Sequence, residues 1–158
     1  MDLCGSLFAC WSPGPLRSLG ESFLKRDALW AGVPEHVAII QDGNRRYARR
    51  RGVSSFDGHS QGAETTERVA DWCLEMGIKH LSVYTFSTEN FNRDEAEKEY
   101  LFDLIGRKLG ELAISEKVHK NRIRVRAIGR IGLLPPGLQD AIQKAEAATR
   151  SYDGMQFT

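Results

Sequence analysis

Four short strand-like runs, separated by stretches of helical periodicity, constrain most strongly what this chain can fold into. The runs cover residues 36–41, 81–86, 123–128 and 155–158. The first, HVAIIQ, holds three β-branched aliphatics in its first five residues, which suits a buried strand better than a short helix. Between the runs, residues 58–76 place Ala63, Val69, Ala70, Trp72, Cys73 and Met76 at three- and four-residue steps, and Gly77 is a natural stop. Residues 95–117 carry Tyr100, Leu101, Leu104, Ile105, Leu109 and Leu112 on one face, and Pro135-Pro136 opens a helix reaching about residue 149. Strand alternating with helix predicts an α/β fold with a parallel sheet flanked by helices and right-handed crossovers. The last run is only four residues long. It is either a short edge strand or the start of one that a longer chain completes, which would make this an N-terminal portion with about four strands.

The predicted organisation is an N-terminal arm with a short amphipathic helix over residues 1–30, followed by one domain over 31–158. Residues 1–20 are rich in Gly, Ser and Pro and read as a loose arm. Residues 21–31 put Phe23, Leu24, Ala28 and Leu29 at helical spacing beside Trp30. Such a helix either packs on the domain or touches a membrane or lipid tail. No stretch approaches the roughly 18 apolar residues of a membrane span, and the opening residues lack the charged start of a signal peptide. The three cysteines, Cys4, Cys10 and Cys73, show no metal spacing and no disulfide framework. These features predict a cytoplasmic protein, at most peripheral to a membrane. Net charge is +1, so nucleic acid is not the expected partner; the positive charge is local, at residues 45–51 and 117–130.

In open parallel sheets, ligands bind beyond the carboxyl ends of the strands. The first strand empties into Asp42-Gly43-Asn44 and then Arg45 and Arg46; the second empties into Ser87, Glu89, Asn90 and, three residues on, Arg93. Gly43 lets backbone N–H groups approach an anion, and a helix start after it adds the positive end of a dipole. Arg46 can grip phosphate oxygens with two hydrogen bonds. Asp42 among phosphates calls for a cation between them, most naturally Mg²⁺. Taken singly, each feature has a plainer reading: Asp-Gly-Asn as a turn, the arginines as a solvated helix face, His59 as structural, and Ser-Thr-Glu as a helix cap. Their joint occurrence at two consecutive strand ends favours a diphosphate–Mg²⁺ site.

These same residues carry a resemblance to the cis-prenyltransferases, the family of undecaprenyl and dehydrodolichyl diphosphate synthases. The matching text is HVAIIQDGNRRYARRRG (36–52), GHSQGAE (58–64), GIKHLSVYTFSTENFNR (77–93) and RVRAIGRIGLLPPGLQDAIQKAEAAT (124–149). The resemblance implies a transferase that adds isopentenyl diphosphate to an allylic diphosphate, with Mg²⁺, building a long cis-polyprenyl diphosphate in a hydrophobic tunnel. It implies a homodimer, or a heterodimer with a homologous subunit; a non-catalytic subunit of such a heteromer is the alternative reading. By position, Asp42 becomes the carboxylate that works with Mg²⁺, and Gly43, Asn44, Arg45 and Arg46 hold the allylic diphosphate with Tyr47 beside them. His59 lies near that diphosphate. Ser87, Asn90 and Arg93 match residues implicated in positioning and proton removal, and Thr88, Glu89 and Phe91 share that substrate-lining segment. The chain departs from the pattern at Ser55, where many members carry a diphosphate-contacting arginine. It also lacks the family's C-terminal part, which supplies the isopentenyl diphosphate site and a further Mg²⁺ carboxylate.

Overall fold

The computed structural model describes residues 15–158. The chain divides into two units, Met1–Val33 and Pro34–Thr158. In the first, helix α1 spans Pro15–Ala31. It begins six residues before the expected arm ends, because proline is suited to a first helical turn, where its missing N–H costs nothing. Phe23, Leu24, Leu29 and Trp30 are exposed. The rest of the predicted arm, with Cys4 and Cys10, lies outside the described residues.

The second unit runs β1 (His36–Ile40), α2 (Asn44–Arg51), α3 (Ser55–Glu75), β2 (His80–Tyr84), α4 (Glu95–Ile114), α5 (Glu116–Lys120), β3 (Arg124–Val125), α6 (Pro136–Thr149) and β4 (Gln156–Phe157). The four strands form one sheet in the order β1-β2-β4-β3, and every pairing is parallel. The α/β parallel sheet expected from the alternation is therefore present. The final run is no edge strand: β4 lies between β2 and β3, with Gln156 opposite both His80 and Arg124. The expected buried first strand is instead the sheet edge. His36, Ala38 and Ile40 are exposed, while Val37 and Ile39 are half-buried.

Three further boundaries moved for local reasons. The helix expected to start after Gly43 is limited to two turns, as α2, entered and left through glycines with left-handed backbone: Gly43 (φ 91°) and Gly52 (φ 68°). Arginine is a good helix former, so glycine at both ends turns a basic run into a short helix. The long helix after Glu95 breaks at Ser115, whose side chain caps α5 by accepting from Val118 N–H. The third strand shrinks from six residues to two, because only Arg124 and Val125 pair with β4.

The core lies between the sheet and its helices. Leu81 and Ala145 are fully buried, with Leu104, Val118, Ile123, Val125, Ile142 and Met155 around them. Thr149, also fully buried, ties α6 to β3. Its hydroxyl accepts from Val125 N–H (3.0 Å) and donates to the Ala145 carbonyl (2.8 Å), so it carries no unpaired polar atom into the core.

Helix α3 starts on a capping box formed by Ser54 and Asp57. Its Gly58 and Gly62, one turn apart, face α2. A Cβ on Gly58 would sit 2.5 Å from the Asn44 carbonyl oxygen and 2.9 Å from the Ala48 Cβ. One on Gly62 would sit 2.6 Å from the Asn44 side-chain oxygen. The Gly-His-Ser-Gln-Gly segment is thus a flat seat for α2, and it holds Asn44 close to α3. Gly58→Ala is expected to cost about 1–3 kcal/mol by overpacking. A thermal melt lowered by several degrees would show it, whereas an unchanged melt would mean that α2 is free to shift away.

Candidate active site: a polar mouth on an apolar channel

β1 and β2 are parallel neighbours in register from His36–His80 to Ile40–Tyr84, so their carboxyl ends open side by side. A single cavity of about 660 Å³ begins there. Asp42, Gly43, Asn44, Arg45, Arg46, His59, Asn90 and Arg93 all line it. These residues, widely spaced in the chain, are brought to one mouth by the strand pairing and by the glycine seat under α2. Tyr47, Ser87, Thr88, Glu89 and Phe91 do not line this cavity. Tyr47 is exposed beneath the Arg51 guanidinium, 5.7 Å from its ring. Ser87 and Asn90 cap each other across the short 3-10 turn Thr88–Asn92, and Phe91 stacks with Phe86 and Phe102. That segment holds Asn90 and Arg93 in place.

Within the mouth, Asp42 is exposed. It accepts from its neighbour Gly43 N–H and from the Arg46 guanidinium at 2.8 Å. Arg46 therefore reaches the carboxylate. Arg45 turns instead towards Glu97, which sequence reasoning missed. One oxygen of Glu97 accepts from His59 Nε2–H at 2.9 Å and from Arg93 at 3.1 Å, with the Arg45 Nε 4.0 Å away. Glu97 is almost buried, as is His59, while Arg93 is mostly covered and Arg45 largely exposed. One carboxylate thus anchors two arginines and a histidine at the edge of the mouth. Arg93 and Glu97 stand four residues apart across the start of α4, the spacing at which helical side chains meet, and this signal could have identified Glu97.

Below the mouth the walls become apolar. Ala63, Ala70, Leu101, Leu104, Ile105 and Leu109 line the channel between α3 and α4, and Val83, Met155 and Phe157 approach from the sheet. Ser60 and Tyr100 join these helices through a 2.7 Å hydroxyl–hydroxyl hydrogen bond, and Tyr100 also donates to the Phe56 carbonyl. A cationic mouth on a deep apolar channel can hold a diphosphate by its charge and a hydrocarbon tail by burial. The Cys73 thiol plays no part in this arrangement. It is buried on α3, and burial pushes its pKa up, leaving it inert.

Among the described residues, no group of three His, Cys, Asp or Glu side chains could hold a metal ion. Asp42 alone, at a cationic mouth, fits the other common arrangement for Mg²⁺, in which one carboxylate shares the ion with phosphate oxygens.

The family model described as putative undecaprenyl diphosphate synthase matches residues 40–158. The tritrans,polycis-undecaprenyl-diphosphate synthase (geranylgeranyl-diphosphate specific) of Halobacterium salinarum is 53% identical over 123 residues, covering 78% of this chain and 41% of that protein. The enzyme of the same name from Methanopyrus kandleri is 46% identical over 138 residues, covering 87% of this chain and 51% of its own. The crystal structure of lavandulyl diphosphate synthase from Lavandula x intermedia, in complex with dimethylallyl diphosphate, superposes with a TM-score of 0.72 at 37% identity, covering 78% of this chain and 52% of that one. A probable undecaprenyl diphosphate synthase from Campylobacter jejuni gives 0.62 at 31% identity, covering 80% and 53%. The chain spans about half the length of the curated relatives it matches.

Proposed function

The chain belongs to the undecaprenyl diphosphate synthase family of cis-prenyltransferases, and on that premise we propose that it carries the allylic half of a prenyl-elongating active site. The full-length protein condenses isopentenyl diphosphate with an allylic diphosphate to build a long cis-polyprenyl diphosphate. The observation that carries this reading is the pairing of the cationic mouth with the apolar channel in one cavity. The relatives named as geranylgeranyl-diphosphate specific support geranylgeranyl diphosphate as the primer.

The chemistry follows from where charge develops. The allylic C–O bond breaks and its electron pair leaves with the diphosphate. Gly43, the backbone N–H groups at the start of α2, Arg45, Arg46, His59 and Arg93 meet that growing negative charge, and Asn44 stays seated on Gly62 to keep the turn in place. The π electrons of isopentenyl diphosphate form the new C–C bond to the cationic carbon, and a proton then leaves to create the new double bond. Asp42 would hold Mg²⁺, whose charge would further stabilise the leaving diphosphate. Asn90 orients the reacting groups, held in place by its mutual capping with Ser87. Tyr47, Thr88, Glu89 and Phe91 shape the substrate-facing segments from behind this first layer. A dimer, homomeric or with a homologous subunit, is proposed from the family resemblance. Peripheral membrane contact is proposed from exposed Phe23, Leu24, Leu29 and Trp30; no described helix is long and apolar enough to cross a membrane.

Full-length protein incubated with Mg²⁺, geranylgeranyl diphosphate and radiolabelled isopentenyl diphosphate is expected to make labelled polyprenyl products. Incorporation only after a homologous subunit is added would select the non-catalytic-subunit reading, against which intact Asp42, Asn44 and Asn90 argue.

A further inference from the structure

The deep half of the channel is closed on one side by charge. Helices α3 and α4 run side by side away from the mouth: His59 meets Glu97, Ser60 meets Tyr100, and Glu67 meets Lys108 at 2.8 Å. One turn beyond Glu67, Asp71 meets Lys117 of α5 at 2.5 Å. Glu111 holds Lys108 a second time, at 2.8 Å. All five of these charged side chains line the same cavity as Asp42 and Arg46. They are also partly open to solvent. Glu111 and Glu67 hold the Lys108 ammonium charged by raising its pKa. The seam between α3 and α4–α5 is therefore bridged at these two levels by partly exposed ion pairs.

The depth of this seam is informative. At 1.5 Å per helical residue, Glu67 lies about 12 Å and Asp71 about 18 Å beyond His59 along α3. An extended isoprene unit has four chain bonds. Scaled from a peptide residue of three, it spans about 4.5 Å. The run from mouth to Asp71–Lys117 thus accommodates about four units, the length of a geranylgeranyl tail. A longer chain extends beyond this level, where Leu74, Val118 and Ile123 also line the cavity.

We propose that the ion pairs Glu67–Lys108–Glu111 and Asp71–Lys117 form a gate in the α3/α4–α5 seam that an elongating prenyl chain must part, so that they restrict product length. The inference rests on the elongation activity proposed above. An apolar chain crossing this seam has to separate the paired charges on the side where they line the cavity, whereas a neutral, apolar seam opposes it less.

The test uses full-length protein, Mg²⁺, geranylgeranyl diphosphate and radiolabelled isopentenyl diphosphate, with products resolved by chain length. Lys108→Met/Lys117→Met is expected to shift the most abundant product upward by at least one isoprene unit. Glu67→Gln/Asp71→Asn, which neutralises the seam from the α3 side, should shift it the same way. Asp71→Lys/Lys117→Asp, which keeps a pair with its charges exchanged, should give the wild-type distribution. An unchanged or shortened distribution in both neutral variants overturns the gate, as does lengthening in the exchanged pair. If the wild-type protein elongates nothing, the elongation reading itself fails, a result distinct from normal elongation with an unmoved product length.

Discussion

Asp42→Asn in the full-length protein is expected to lower kcat by about 10²–10³-fold, the size of effect seen when one group that stabilises transition-state charge is removed. The fold should hardly notice. Asp42 is 76% exposed and its Arg46 partner 70% exposed, and an exposed ion pair contributes only about 0–1 kcal/mol. Asparagine also keeps an oxygen that can accept from Gly43 N–H, as Asp42 does now. Catalysis should therefore fall while the melting temperature stays within a degree or two. Steady-state incorporation of labelled isopentenyl diphosphate, measured beside a thermal melt, separates the two effects. Unchanged turnover would remove Asp42 from the chemistry and leave it a turn residue.

Glu97→Ala should show the opposite pattern, with the fold suffering first. Glu97 is the shared acceptor of His59 and Arg93, and both are more than three-quarters covered. Removing it leaves the Arg93 guanidinium without its counter-charge and the buried His59 ring without its hydrogen-bond acceptor. Breaking a buried pair in this way costs about 3 kcal/mol. A diphosphate in the mouth would bring negative charge back to Arg93 and Arg45. The melting temperature of the variant should therefore drop by several degrees and recover markedly on adding inorganic pyrophosphate, more than the wild type gains. A variant that melts like wild type, or gains no more from pyrophosphate, would show that Glu97 does not hold these cations in place.

Much of this was legible in the chain. The alternation of apolar runs and helical faces implied a parallel α/β sheet, and parallel neighbours implied that Asp42–Arg46 and Asn90–Arg93 would converge. Local spacing carries such information, because the side-chain period of a strand or helix is a property of the backbone itself. The resemblance pointed to the same residues. Other features could not be read this way. The arginine segment has helical propensity, but its helix depends on left-handed backbone at Gly43 and Gly52. Glu97 gathers partners as far away as His59, 38 residues back, and only its i,i+4 relation to Arg93 is visible locally. Nor does the spacing of Glu67 and Lys108, on separate helices, announce that they meet.

By itself, the sequence determined the element types, the turn chemistry at the strand ends and the placing of cationic and carboxylate groups there. These follow from propensity and period within a few residues. The tertiary structure decided which helix faces meet. It seats α2 on the glycines of α3, inserts β4 between β2 and β3, puts β1 at an edge, and runs α3 beside α4 so that their apolar stripes enclose a channel and charged side chains pair across it. Those outcomes depend on burying apolar surface across long stretches of chain, with every close approach tolerated by its neighbours, a condition that no local window of sequence contains.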